Sequence, residues 1–181
     1  HVTPDVLIPR DDTCAVAELA IRQGLFLDKD PRILDLCCGS GCIGLAVASR
    51  VKDAKVTLAD ISQKALAVAK ENVALNKLSG RVRCVSADAL KPAFPFLGKF
   101  DMIVSNPPYI STRDMLELPH SVAGFEPRMA LHGGVIAAIM EHLFPDEKKT
   151  RYDWQPPNGY GYGIRWDASG RIYKRIFPRT F

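Results

Sequence analysis

The sequence lacks any apolar run long enough to cross a membrane. No stretch approaches the roughly 18 consecutive apolar residues that a spanning helix needs. The first ten residues have neither the basic start nor the apolar core of a secretory signal peptide. We therefore expect a soluble, cytoplasmic protein that has no membrane partner.

The sequence also lacks the cysteine spacings that are typical of metal sites and disulfide frameworks. The number of cysteines is odd, and no two have the CxxC spacing: they are Cys14, Cys37, Cys38, Cys42 and Cys84. Three of them lie in apolar contexts, where a free cysteine behaves as a small core residue. We predict free thiols in a reducing compartment and no bound metal.

Net positive charge is confined to the end of the chain. The net charge is +4, but residues 148–181 alone carry a net +6, which leaves −2 for residues 1–147. Residues 151–181 also hold eight of the fifteen aromatic side chains. This shift predicts a boundary between a domain at 1–147 and a basic, aromatic tail at 148–181. Within the tail, residues 162–177 resemble a β-hairpin, which could join the same sheet.

Residues 1–147 alternate between strand-like and helix-like segments. Such alternation predicts an α/β fold with a mostly parallel, doubly wound sheet. The carboxyl ends of the strands should then share one edge, where ligands bind in open α/β sheets. The predicted strands are 32–38, 56–60, 82–88 and 100–106, and the predicted helices are 12–27, 42–51, 62–76 and 135–144. Residues 111–134 are predicted to form a loop with a short helix or turn.

A glycine-rich turn follows the first predicted strand. Gly39, Gly41 and Gly44 form a GxGxxG pattern between a strand and a helix, and Asp60 ends the next strand. Glycines allow a ligand to approach the backbone closely, and the acid can accept the hydroxyls of a ribose. This arrangement predicts a nucleoside cofactor. The alternative is a turn that only lets the helix pack closely.

Two further acids refine the choice of cofactor. Asp35 precedes the turn, and a carboxylate there suits an ammonium group better than a pyrophosphate, which favours S-adenosylmethionine. Asp35 could instead be an ordinary strand residue. Asp88 could accept from the adenine amino group or could cap the following segment. The predicted cofactor-binding set is Asp35, Cys37, Gly39, Gly41, Asp60, Ile61, Asp88, Ala89 and Asn106.

The fourth strand ends in the sequence Asn106-Pro107-Pro108-Tyr109. Two prolines restrict the backbone and stiffen the loop. The Asn106 side-chain oxygen and the Pro107 carbonyl could each accept one N–H of a planar nitrogen, while Tyr109 stacks on its flat face. We therefore predict Asn106, Pro107 and Tyr109 as catalytic and Asn106 to Tyr109 as substrate-binding. A plain strand-ending turn is the alternative.

Residues 2–134 resemble the catalytic domain of the HemK/PrmC release-factor glutamine methyltransferases. The matching stretches are VLIPR (6–10), DLCCGSGCIGLAVA (35–48), Asp60, SADAL (86–90), FDMIVSNPPYI (100–110) and FEPRMALHGG (125–134). The resemblance implies a Rossmann-like class I fold, S-adenosylmethionine as cofactor and S-adenosylhomocysteine as product. It also implies that the substrate is the glutamine of the Gly-Gly-Gln loop of a peptide chain release factor, methylated at N5 by a monomeric enzyme.

The residues after Gly134 depart from that family. They do not match its further helices and strands, so we expect the C-terminal strands to be atypical or incomplete. Two other functions stay open. The basic tail and the Asn106–Tyr109 loop could belong to a nucleic-acid amino-methyltransferase acting on adenine N6 or cytosine N4, although nucleic acid is the less favoured partner. The chain could also bind the cofactor without turnover.

Overall fold

A computed structural model describes residues 1–91, 97–134, 162–166 and 172–176. The helix predicted over 135–144 and most of the predicted tail lie outside the described residues. No helix among the described residues is long and apolar enough to span a bilayer. The longer elements are the helices α1 (Asp11–Gly24), α2 (Cys42–Arg50) and α3 (Gln63–Leu75), and the strands β1 (Arg32–Leu36), β2 (Lys55–Asp60), β3 (Val82–Ser86) and β4 (Met102–Ser105).

The four strands β1 to β4 form one parallel sheet in the order β3-β2-β1-β4. The chain steps outward from β1 through β2 to β3, and then returns to the other side of β1 as β4. This reversal creates a switch point between β1 and β4, where open α/β sheets bind ligands. Leu36 pairs with both Ala59 and Ser105, so the carboxyl ends of β1, β2 and β4 meet at one edge.

Alternate residues of each strand point to opposite faces of the sheet, as the strand period requires. Ile33, Leu58 and Val104 belong to the main core on one face, together with residues of α1, α2 and α3. The opposite face carries a smaller cluster around Leu34 and Leu97. The predicted parallel α/β fold is confirmed, and helices cover one face of the sheet within the described residues.

The helices begin where the sequence places helix-starting signals. Ser62 caps α3, because its hydroxyl accepts the Ala65 N–H at 3.2 Å. Gly41 precedes α2 in a left-handed conformation (φ 78°) that favours glycine. The predicted bounds of helices and strands differ from the observed ones by at most three residues at an end. Such shifts are ordinary, because the ends of elements are weakly specified.

Beyond β4 the chain forms a long connection of short elements. These are a 3₁₀ turn at Asp114–Leu116 and the one-turn helices α4 (His120–Ala123) and α5 (Arg128–Leu131). The predicted hairpin is confirmed as β5 (Tyr162–Trp166) paired antiparallel with β6 (Ile172–Ile176). The hydrogen-bonded order of the four-stranded sheet includes neither strand, although β5 lies close to β4, so the place of the hairpin on this sheet stays a prediction.

Candidate active site

The glycine turn connects β1 to α2 at the switch point of the sheet. The Cys38 N–H donates to the Ala59 carbonyl of β2 at 3.1 Å, and the Gly41 N–H donates to Cys38 at 2.8 Å. Gly39 has φ 53°, and a Cβ placed on it would meet nothing within 4 Å. The backbone of the turn is therefore held from behind and open in front, so a ligand can approach it closely.

Asp60 joins the glycine turn to the end of β2. Its Oδ2 accepts the Gly39 N–H at 2.9 Å, and its Oδ1 accepts the Ser62 N–H at 2.9 Å. Asp60 also lines the cleft in front of the turn, as does Ile61. A carboxylate has about four acceptor positions, so Asp60 can hold the turn and still has acceptor positions for ribose hydroxyls, and the ribose contact stays a prediction.

Asp35 lies behind the turn rather than in the cleft. Its side chain is buried, and its Oδ2 accepts the Gly44 N–H at 2.8 Å, while Oδ1 has no hydrogen-bond partner among the described residues. Burial raises the pKa of this carboxyl to about 7, although the Gly44 N–H acts against the shift. The predicted contact between Asp35 and an ammonium group finds no support in this placement; Asp35 anchors the first turn of α2.

Asp88 and Ala89 also lie outside the described cleft lining. Asp88 accepts the Leu90 N–H at 3.0 Å and lies 3.7 Å from the Lys91 ammonium. These contacts agree with the capping alternative better than with an adenine contact, although no helix follows Asp88 within the described residues. The adenine assignment stays a prediction without support from this geometry.

The Asn106–Tyr109 loop begins directly beside the glycine turn. The Ser105 hydroxyl donates to the Leu36 carbonyl at 2.6 Å, so the end of β4 is fixed to the end of β1. Asn106 and Pro108 line the cleft, whereas Pro107 does not, and Tyr109 stands 52% exposed at the loop tip. Among the described residues, no group hydrogen-bonds with the Asn106 side chain, which leaves its amide available to a ligand.

Sequence reasoning missed two walls of the cleft. Residues 5–7 with Pro9 form one wall, and Pro127 with Met129 and Ala130 forms the other. Neither segment contains a motif that is typical of catalysis. The VLIPR and FEPRMALHGG stretches indicated a family resemblance but did not predict that these residues line the cleft. The enclosed space is about 120 Å³, below the roughly 300 Å³ at the lower end of ligand pockets, so the described residues would enclose a nucleoside only partly.

The cysteines around the turn are poor nucleophiles. Burial raises the pKa of the Cys37 thiol to about 11, with a further contribution from the Asp60 charge, and burial also raises the pKa of Cys38 and Cys42. No cluster of three or more potential metal ligands occurs among the described residues. These thiols are therefore unreactive side chains, but all three line the cleft, and the role of Cys37 as a cofactor contact stays a prediction.

A second cavity lies at the opposite, amino-terminal edge of the sheet. Arg32, Lys55, Arg81 and Arg83 are among its lining residues. The guanidinium groups donate to main-chain carbonyls: Arg32 and Arg83 to Leu97, and Arg81 to Ala48. Arg83 also donates to Thr57. Through these hydrogen bonds, the arginines stabilise the packing of neighbouring main-chain segments at this edge of the sheet.

Comparison with known proteins shows the family of this chain. The sequence model of the methyltransferase small domain family matches residues 20–123. A release factor glutamine methyltransferase of Chlorobaculum tepidum is 45% identical over 132 residues, which are 70% of this chain and 45% of that protein. A ribosomal protein uL3 glutamine methyltransferase of Francisella tularensis is 45% identical over 134 residues, 71% of this chain and 40% of that protein. The chain spans less than half of the length of either relative.

A solved structure confirms the fold. The hMettl16 catalytic domain, determined in complex with MAT2A 3'UTR hairpin 6, superposes with a TM-score of 0.59 and 16% identity over 82% of this chain and 56% of that chain. The names of the curated relatives confirm the resemblance drawn from the motifs. With more than half of its residues matched by the family's sequence model, this chain belongs to the methyltransferase small domain family.

Proposed function

We propose that the chain methylates the side-chain N5 of a protein glutamine and uses S-adenosylmethionine as the methyl donor. One observation carries the proposal: the Asn106 amide, which has no hydrogen-bond partner among the described residues, lines the same cleft as Gly39 and Asp60. A planar nitrogen held by Asn106 would lie beside the place where the glycine turn admits a nucleoside. The relatives named for glutamine methylation support this choice of nitrogen.

The described residues fit the cofactor at three points. Gly39 presents an open stretch of backbone to the cleft, and Asp60 offers carboxylate positions not used by the Gly39 and Ser62 N–H groups. The exposed Ile61 side chain, 53% accessible, can cover an aromatic ring. The bound cofactor would supply an electrophilic methyl group on its sulfonium.

The protein's part in the reaction is to orient the substrate amide. A primary amide nitrogen has its lone pair delocalised and its two N–H bonds in plane. The Asn106 oxygen would accept one N–H and the Pro107 carbonyl the other, which fixes the nitrogen and favours the positive charge that develops on it during transfer. Pro107 and Pro108 keep both acceptors in place because they restrict the backbone. Tyr109, at the loop tip, would close over the amide plane.

We further propose that the glutamine belongs to the Gly-Gly-Gln loop of a peptide chain release factor, on the basis of the motif resemblance and the relatives named for that substrate. Such a partner would place the reaction in the cytoplasm. A monomeric enzyme and a boundary near residue 147 stay predictions.

Labelled methyl transfer tests the proposal. The 181-residue chain would be incubated with S-adenosylmethionine labelled in its methyl group and, in separate reactions, with a release factor, ribosomal protein uL3, DNA or RNA. Label on a release-factor glutamine is the expected result. Label on nucleic acid alone would replace the proposal with a base methyltransferase, and cofactor binding without transfer to any substrate would favour a module without turnover.

A further inference from the structure

An ion pair joins two segments that lie far apart in the sequence. Nη2 of Arg10 lies 2.8 Å from both Oε1 and Oε2 of Glu126, which is 116 residues away along the chain. The Glu126 side chain is only 7% exposed, and the Arg10 side chain is 52% exposed. Removing one partner of a pair that is buried on one side leaves a desolvated charge, so such a pair resists opening.

The Arg10 end of the pair is anchored to the main core. The Arg10 N–H donates to the Thr13 hydroxyl at 3.2 Å, and the Arg10 carbonyl accepts the Thr13 N–H at 2.9 Å. These bonds fix Arg10 at the start of α1. Ala20 of α1 is buried in the same cluster as β1 and α2, so this end moves only if α1 leaves the core.

The Glu126 end leads to the Asn106–Tyr109 loop. Glu126 is followed by the cleft wall at Pro127 and by α5. The Ile110 N–H donates to the Leu131 carbonyl of α5 at 3.1 Å, and the Gly133 N–H donates to the Ile110 carbonyl at 2.9 Å. Ile110 directly follows Tyr109. A continuous path of contacts thus runs from Arg10 through Glu126 and α5 to the loop that carries Asn106.

The connection that contains this path has little core of its own. Between Asn106 and Gly134, only Leu131 and Gly133 are buried. Segments with few buried contacts open locally at low free-energy cost. The position of the loop therefore depends on a small number of fixed points, and the Arg10–Glu126 pair is one that reaches the main core.

We propose that Arg10 and Glu126 are positioning residues. Their ion pair holds the connection, residues 106–134, against the start of α1 and thereby fixes the position of Asn106 in the cleft. The expected effect of this ion pair on catalysis rests on the proposed function. Neither side chain needs to touch the reacting atoms. A shift of about 1 Å in a positioned group can cost roughly a hundredfold in rate, so the effect should appear in kcat.

The kinetic test uses Arg10→Ala, Glu126→Gln and the double variant. Each single variant should lower kcat roughly tenfold or more, and the double variant should be no slower than the slower single one, because residues acting through one pair are not additive. The control is Glu71→Ala. It removes a contact between Glu71 of α3 and the His1 imidazole of the N-terminal segment, Oε2 to Nε2 at 3.6 Å, whose side chains are 64% and 47% exposed. Neither residue lines the cleft, so kcat should be unchanged. Wild-type kcat in both single variants, or multiplied losses in the double variant, would overturn the proposal.

Amide hydrogen exchange provides a readout that does not depend on activity. In Arg10→Ala, the amides of Ile110 and Gly133 should exchange faster, while those of β1 and β2 keep wild-type rates. Wild-type exchange rates at Ile110 and Gly133 in this variant would contradict the positioning role of the Arg10–Glu126 ion pair. If the wild-type chain transfers no methyl group but Arg10→Ala shows the faster exchange, the proposed function is wrong, whereas the positioning role of the Arg10–Glu126 ion pair is supported. If Arg10→Ala does not fold, Arg10→Lys keeps the charge without the planar fork and should show the same shift to a smaller degree.

Discussion

The carboxylate of Asp60 bridges the main-chain N–H groups of Gly39 and Ser62, each at 2.9 Å. One acid therefore ties the glycine turn to the start of α3 and also faces the cleft. Asp60→Ala would remove both bonds and any contact with a ribose. We expect the dissociation constant for S-adenosylmethionine, measured by calorimetry, to rise tenfold or more, since hydrogen bonds to a charged group contribute about 1.5–3 kcal/mol each. An unchanged constant would count against the cofactor site at this edge.

Asn106 should separate catalysis from cofactor binding. Asn106→Ala removes the side-chain acceptor but leaves the glycine turn and Asp60 untouched, so kcat should fall by roughly 10²–10³ while the dissociation constant for the cofactor stays near its wild-type value. Asn76→Ala serves as the control, because this amide is exposed and, within the described part of the chain, donates only to the Asn72 carbonyl of α3. Normal turnover by Asn106→Ala would remove Asn106 from the mechanism.

The packing around Gly44 leaves no space for an alanine side chain. A Cβ at this position would overlap Cδ2 of the fully buried Leu58 and lie 3.0 Å from Oδ2 of Asp35. We expect Gly44→Ala to lower the free energy of unfolding by about 1–3 kcal/mol, the usual cost of overpacking, seen as a lower denaturation midpoint in urea. Gly80→Ala is the matched control, since a Cβ there meets nothing within 4 Å. Equal midpoints for both variants would show that the contact is not tight.

Asp35 should make stability depend on pH. Burial raises the pKa of this carboxyl from its usual 3.8 to about 7 in the folded state. Between these values the folded chain retains a proton that the unfolded chain has lost, so this group's contribution to stability is complete below pH 3.8 and is lost as the pH rises through 7.

Asp35→Asn should remove that dependence. The amide oxygen can still accept the Gly44 N–H, but no proton is exchanged, so the free energy of unfolding of the variant relative to wild type should rise between pH 4 and pH 7.5. The measurement is urea denaturation across this range. A constant difference between the two proteins would mean that Asp35 titrates normally.

The arrangement of the sheet edge was predictable because it follows from chain topology. Alternating strands and helices indicate a parallel sheet, and the strand ends then bring Gly39, Asp60 and Asn106 to one edge. The orientation of a side chain was harder to predict. Asp35 lies behind the turn because α2 begins on its inner side and Gly44 donates to it. Only the packing of α2 against β1 decides this, and no sequence pattern encodes it.

Contacts across long sequence separations were also beyond sequence reasoning. The pairing of Arg10 with Glu126 depends on the path of the connection after β4, which has short elements and no clear periodicity. The VLIPR and FEPRMALHGG stretches marked both segments through resemblance, but not their contact. Likewise, the sequence of residues 162–177 predicted the β5–β6 hairpin, whereas the approach of β5 to β4 had no local signal.

The position of the transferred methyl group on the substrate tests the proposed function and the role of Asn106 together. A release factor would be incubated with the 181-residue chain and S-adenosylmethionine, digested, and sequenced by tandem mass spectrometry, with Asn106→Ala in a parallel reaction. We expect one methyl group on the side-chain nitrogen of the Gly-Gly-Gln glutamine, formed by the wild-type chain and missing with the variant. A methyl group on a different residue, or equal modification by Asn106→Ala, would show that the proposed reaction is wrong.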